Sequence, residues 1–469
     1  MVFSSATFLF YFFPLFLLLY YVLPWKNGVL LVGSLLFYAW GEPRFVPLLL
    51  LSALLNYGFG AAIAAAAGRR RRLLLALGVA ANLLFLMYYK YIGFFATVLN
   101  EAIGPFGHTV PVPAVVLPLG ISFFTFQGIS YLIDLHRRDI EVQSSFWRFA
   151  MYKSMFPQLI AGPIVRYRQI AHEIEHRDLP NARVWAGFRQ FVVGLAQKML
   201  IANTVAVTAD RLFAQDPAQL GATGAWIGIA CYTVQILFDF GGYSNMAIGI
   251  GHMLGFSYPP NFQRPYASLS MTEFWRRWHI SLSSWFRDYL YIPLGGNRHG
   301  PLRTYVNLGL VFLLCGLWHG AAWTFVIWGL WHGALLVLER LGLGAALARA
   351  PAPLAHAYTL LMVMLGWVFF RADNVPYALS YLRAMAGLHP AAAAPHAWQS
   401  DFSASAATAL VLGALIATVR LAPGAPARAA AALGRLRLPL QTLALAAAFM
   451  LCVLNMAAGT YNPFIYFRF

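Results

Sequence analysis

Charge is scarce in this sequence. Asp, Glu, Lys and Arg make up only 10% of its 469 residues, against about a quarter in a soluble globular domain. A chain so poor in charge cannot cover a water-facing surface, which excludes an ordinary soluble fold. Acidic residues are scarcer still: 16 Asp+Glu against 33 Lys+Arg leave a net charge of +17. In a soluble protein that balance would suggest nucleic acid. There is no zinc-finger spacing and no RNA-binding aromatic signature, so no nucleic-acid partner is expected. In a membrane protein, basic loops are held on the cytoplasmic side and meet anionic headgroups. Cysteine is nearly missing. Cys231, Cys315 and Cys452 each lie in an apolar run with no CxxC pair. That excludes a disulfide framework and a thiolate metal site and leaves small buried hydrophobes. No HExxH, GxSxG, P-loop or placed GxGxxG occurs. No catalytic metal and no cofactor is expected, and the nucleophile is the hydroxyl of a substrate or of a partner.

Apolar sequence, by contrast, is abundant. Mean hydropathy is +0.64, 60% of residues are hydrophobic, and apolar runs recur along nearly the whole chain. The bilayer is the solvent they fit. Candidate spans cover residues 5–23, 28–40, 45–64, 73–98, 113–133, 186–207, 223–250, 304–318, 322–340, 356–371, 404–420 and 438–458. The first is followed by Pro24-Trp25-Lys26-Asn27 and not by a small-residue cleavage site, so it reads as a retained transmembrane helix. Some spans are short, such as 28–40, and some are broken, such as 113–133 with Pro118 and Gly120. Short or broken segments predict tilted or re-entrant helices. The reading is an all-α polytopic membrane protein with about 10–13 transmembrane and re-entrant helices, in a single integral membrane domain over 1–469. Lys26, the run Arg69 to Arg72 and the basic loop 421–437 mark cytoplasmic sides.

Polar residues gather between about 230 and 335. The run Phe238-Asp239-Phe240-Gly241-Gly242-Tyr243-Ser244-Asn245 is followed by Glu273-Phe274-Trp275-Arg276-Arg277-Trp278-His279, and then by Leu317-Trp318-His319-Gly320 and Trp331-His332-Gly333. Ionisable groups within a membrane are costly and mark cavities or partners. Asp239 therefore either faces a cavity or makes a structural bond to backbone or a nearby arginine. The Glu273–Asp288 stretch, dense in Trp and Arg, is either an interfacial anchor or a re-entrant helix that carries His279 into a site. His319 ends a charge-free apolar run and is flanked by Trp318, Gly320 and Ala321. Such surroundings favour the neutral imidazole, which can act as a general base. A satisfied core histidine is the plain alternative. His332 follows 13 residues later. On one continuous helix the two would be about 20 Å apart along the axis and on opposite faces, so His332 is read as structural or secondary.

These motifs, with Met1-Val2-Phe3-Ser4-Ser5, Pro118-Leu119-Gly120-Ile121-Ser122-Phe123 and Phe156-Pro157-Gln158-Leu159-Ile160-Ala161-Gly162-Pro163, resemble the membrane-bound O-acyltransferase (MBOAT) superfamily over nearly the whole chain. Within it they resemble the alginate O-acetylation (AlgI-like) branch. The resemblance implies a ring of helices around a tunnel, with the catalytic core at about 110–340. It implies that His319 is the catalytic intramembrane histidine and that His279 occupies the second polar position. Substrate- or tunnel-lining candidates are then Asp239, Tyr243, Ser244, Asn245, Gln158, Arg276, Trp278, Trp318 and His332. It implies acetyl-CoA as co-substrate, a periplasmic SGNH-type acyltransferase as partner, and an extracytoplasmic polysaccharide such as alginate as acceptor. The location implied is the bacterial cytoplasmic (inner) membrane, with many passes. Departures from the branch at Gly241 and Asn245 leave the polymer open. D-alanyl transfer to teichoic acid from a carrier protein is a second reading. A transporter or export channel is a third, from a different class.

Overall fold

The computed structural model of the protein describes residues 2–389, 397–420, 424, 428 and 434–465. Among the described residues the chain is helical and contains no strand. Among the described residues, eight helices are long and apolar enough to cross a membrane, and two shorter apolar helices accompany them. Most of the basic loop 421–437 lies outside the described residues.

The described chain forms two compact units. The first comprises Met1–Gly187 with Ala247–Pro259, and the second Phe188–Met246 with Pro260–Phe469. The first unit holds α1 (Thr7–Val22), α2 (Lys26–Gly41), α3 (Pro43–Ala65), α4 (Gly68–Phe106), α5 (Ile121–Arg137), α6 (Phe146–Ser154) and α7 (Tyr167–Glu175). The broken span at 113–133 resolves into an irregular segment followed by α5. Pro118 cannot continue a helix, and Gly120 sits at φ 78° against the Leu159 carbonyl, where a Cβ would come within 2.4 Å of the oxygen. Only glycine fits there. Some buried polar groups inside this unit pair with one another or with backbone. Asn56 and Asn82 exchange amide hydrogen bonds of 3.0 and 2.9 Å between α3 and α4. Buried Lys153 donates to the Phe124 carbonyl at 2.5 Å.

Helices α8 (Asn181–Phe213) and α9 (Pro217–Met253) contribute residues to both units. The rest of the second unit is α10 (Met271–Arg277), α11 (Ile280–Phe286), α12 (Gly300–His319), α13 (Trp323–Arg349), α14 (Ala352–Arg371), α15 (Val375–Met385), α16 (Ala404–Thr418) and α17 (Arg437–Ala457). Small residues decide which helices touch. Helices α12 and α13 form a hairpin that closes at Gly316 and Gly329. A Cβ on either would lie 2.2 Å from a carbonyl oxygen of the other helix. Gly194 of α8 and Gly242 of α9 make a second such contact, 2.5 and 2.7 Å from each other's carbonyl by the same measure. Close approach of this kind lets backbones pack by van der Waals contact where lipid offers no hydrophobic drive.

Candidate active site

Helices α10 and α11 would be one helix but for a break at Trp278–His279. His279 takes φ 41°, ψ 54°, a left-handed conformation that costs a non-glycine residue about 1–2 kcal/mol. Neighbouring bonds hold it there. The Asn261 carbonyl accepts from the Ile280 N–H at 2.9 Å. The Asn261 side-chain oxygen accepts from the backbone and hydroxyl of Ser281, at 3.2 and 2.8 Å. Its amide in turn donates to Ser244 at 2.9 Å. Ser244 thus supports the break from α9. Asn261 was not visible from the motifs, since it lies in an irregular segment with no local pattern.

At the other end of α10, the buried carboxylate of Glu339 on α13 accepts from the backbone of Met271 and Thr272, at 2.5 and 2.9 Å, and from the Thr272 hydroxyl at 2.6 Å. A carboxylate on the first turn satisfies orphan N–H groups and complements the helix dipole. The short helix that delivers His279 is therefore pinned at both ends.

The break places the His279 ring 6.2 Å from the His319 ring, centroid to centroid. At that separation one oxygen atom can lie within hydrogen-bond reach of both rings. His279 is fully buried between Phe240, at 4.7 Å, and Trp318, at 5.9 Å. Neither of its ring nitrogens has a hydrogen-bond partner among the described residues. Unengaged polar atoms at full burial call for a partner such as a water or a ligand. His319, the last residue of α12, is enclosed by Trp318, Trp328 and Phe370 at 4.9, 5.0 and 5.2 Å. Beside it is a cavity with only about 10 Å³ open to the centre of a water-sized group, walled by Ile236, Phe240, Trp278, Trp367 and Ile465 as well.

The remaining candidates fall into five groups. Trp278 and Trp318 belong to the cage around the histidines. His332 stands one layer behind. Residues 319 and 332 lie on different helices of the α12–α13 hairpin, so the single-helix spacing of about 20 Å does not apply. The Trp328 ring contacts both imidazoles at 5.0 Å, while His332 also packs on Phe274 and Trp275. Arg276 points elsewhere, into a groove of about 460 Å³ lined by Thr272, Trp275, Arg287, Cys315 and Arg340 among others. Cys315 is one helical turn before His319, so groove and histidine cage meet along α12. That Arg287 and Arg340 line the same groove as Arg276, and that continuity, emerge only from the fold.

Asp239, Tyr243 and Asn245 serve a different feature. Asp239 pairs with Lys198 of α8 at 2.6 Å, both side chains being 2% exposed. It binds a lysine and a backbone N–H, with no arginine involved. Its second oxygen accepts from the Ile465 N–H at 2.8 Å. Lys198 also donates to Asn203, at 2.9 Å, and to the Pro463 carbonyl. Tyr243 stacks on Phe464 at 4.8 Å. Asn245 bonds Gln197 and Gln190 of α8, at 2.8 and 3.3 Å. Residues 459–465 thus form a strap fastened to the buried ion pair, and its Ile465 lines the His319 cavity. Hydropathy gave no sign of the strap. Gln158 lies in the first unit, where its amide donates to the Tyr152 carbonyl at 2.7 Å.

Comparison with known proteins gives the family. The model of the membrane-bound O-acyltransferase family, MBOAT, matches residues 134–358. The chain is 44% identical over 390 residues to a probable alginate O-acetylase AlgI of Azotobacter vinelandii, covering 82% of this chain and 78% of that protein. It is 42% identical over 497 residues to the probable alginate O-acetylase AlgI of Pseudomonas putida, covering all of both. It is 38% identical over 428 residues to the peptidoglycan O-acetyltransferase of Helicobacter pylori, covering 83% and 80%. An all-helical multi-pass chain with a caged histidine pair, it belongs to the membrane-bound O-acyltransferase family and is an O-acyltransferase.

Proposed function

We propose that this protein takes an acetyl group from acetyl-CoA on the cytoplasmic side of the inner membrane and sends it across for O-acetylation of an extracytoplasmic polysaccharide, through a periplasmic SGNH-type acyltransferase. The observation that carries the reading is the histidine pair, 6.2 Å apart in an apolar cage. His319 takes the proton of the acceptor hydroxyl as its oxygen attacks the thioester carbonyl. His279 donates to the carbonyl oxygen as charge develops on it. The C–S bond breaks, the C–O bond forms, and the proton held by His319 leaves with the CoA thiolate as free thiol. The aromatic cage excludes water, which would otherwise hydrolyse the thioester.

Two further features support this reading. Arg276, Arg287 and Arg340 converge on the groove beside α12, and guanidinium groups are suited to phosphate recognition. The relatives compared are O-acetylases of alginate or of peptidoglycan, which supports an acetyl group and a polysaccharide acceptor.

The test uses purified protein in nanodiscs with radiolabelled acetyl-CoA, with and without an SGNH-type partner. Wild type releases CoA and passes label to the partner, and His319→Ala does neither while remaining folded. Full label transfer by His319→Ala would remove His319 from the chemistry. Release of no CoA by folded wild type with its partner, but turnover of an acyl carrier protein thioester, would replace acetyl-CoA by a carrier-bound donor.

A further inference from the structure

We infer that Ile236 and Ile465 set the length of the acyl chain that can react at His319, so that the site accepts an acetyl group and rejects longer acyl groups. The inference rests on acyl transfer at His319 and adds the determinant of donor choice. The cavity beside His319 has about 10 Å³ open to the centre of a water-sized group. That is roughly the room one water needs, and a methyl group is only slightly larger. A second carbon beyond an acetyl carbonyl would find no room there unless the wall moved.

The walls differ in how far they can yield. Phe240, Trp278, Trp328, Trp367 and Phe370 are large aromatics that pack on one another: Trp328 on Trp367 at 5.9 Å, Trp278 on Trp367 at 4.9 Å, and Trp367 on Phe370 at 5.3 Å. A packed cluster of that kind does not give way for one side chain. Ile236 on α9 and Ile465 on the strap are the aliphatic members of the wall, both nearly fully buried. Ile465 is held in place from a distance. Its N–H is bonded to Asp239, the residue before it stacks on Tyr243, and Asn462 accepts from Asn203 at 3.0 Å. The strap therefore presents Ile465 at a defined depth. Truncating either isoleucine to alanine opens about three carbon atoms' worth of room, since a close-packed site relaxes only partly around a lost side chain.

The experiment compares acetyl-, propionyl- and butyryl-CoA in nanodiscs, reading CoA release as kcat/KM for each donor. Wild type is expected to favour acetyl over propionyl by at least about 10-fold, the usual penalty for an unaccommodated methylene. Ile465→Ala and Ile236→Ala are expected to lower that ratio by about 10-fold, with Ile465→Val in between. Ile416→Ala, on an exposed face of α16, should leave the ratio unchanged. Because a ratio of donors is read on the same folded sample, a loss of stability alone does not move it. Equal use of butyryl- and acetyl-CoA by wild type overturns the inference while leaving acyl transfer at His319 intact. An unchanged ratio in both folded alanine variants does the same. Release of no CoA from any donor would instead sink the reading on which it rests.

Discussion

The buried ion pair between Lys198 and Asp239 lends itself to a sharp test. Replacing Asp239 by Asn keeps the shape and keeps an oxygen that can accept from the Ile465 N–H. What it removes is the negative charge 2.6 Å from an ammonium group that is 2% exposed. Removing one partner of a buried pair costs about 3–5 kcal/mol, because the other charge stays buried and unpaired. Lys198 retains two neutral acceptors, Asn203 and the Pro463 carbonyl, which places the cost near the lower end, about 3 kcal/mol. Asp239→Leu also strands the Ile465 N–H and should cost about 1–3 kcal/mol more. The double variant Lys198→Met, Asp239→Leu removes both charges, and apolar replacement of a whole buried pair is often close to neutral. It should therefore be more stable than Asp239→Leu alone. The assay is denaturant unfolding of the protein in detergent micelles, followed by tryptophan fluorescence. The reasoning fails if Asp239→Asn lies within about 0.5 kcal/mol of wild type, the range of an inconsequential surface change. It also fails if the double variant is no better than the Asp239→Leu single.

Two other perturbations probe the supports of the fold. Asn261→Ala removes the side-chain bonds that hold the left-handed turn at His279. It should lower stability by about 1–3 kcal/mol and cut kcat more than it raises the KM for the acyl donor, as steady-state kinetics in nanodiscs will register. In the first unit, the Gln143 amide at 3.0 Å and the Arg148 guanidinium hold the Glu175 carboxyl below its ordinary range. A depressed carboxylate binds fewer protons folded than unfolded. Its contribution is therefore present above the ordinary value of about 4.3 and is lost as pH falls through the folded one. Thermal melts between pH 7 and 3 should show a smaller acid-side loss for Glu175→Gln than for wild type. Parallel curves would contradict the assignment.

Much of this protein was legible from its residues alone. Scarce charge and recurrent apolar runs require a bilayer, whatever the tertiary arrangement, because burial of backbone in lipid leaves helices as the economical solution for such segments. The long spans came out as helices near their expected bounds, and the histidines at 279 and 319 stood out because polar residues are rare in such surroundings. Those are local properties, carried by composition and by the neighbours of each residue.

Pairing is not local, and there the tertiary structure decided. Nothing near Asp239 in the chain names Lys198 as its partner. The pair exists because Gly194 and Gly242 let α8 and α9 approach closely. The hairpin closed at Gly316 and Gly329 brings His332 to the same tryptophan as His319, where a single helix would have separated them. Arg276 and Trp278 are two residues apart but serve different spaces, one the groove and one the cage, because the helix breaks between Arg277 and Ile280. That break rests on Asn261, and the cavity wall rests on a strap from beyond the last helix. Hydropathy sets which segments are buried and how long they are. Which side chains meet depends on where small residues permit contact and where a distant polar group holds the backbone in a conformation it would not adopt by itself.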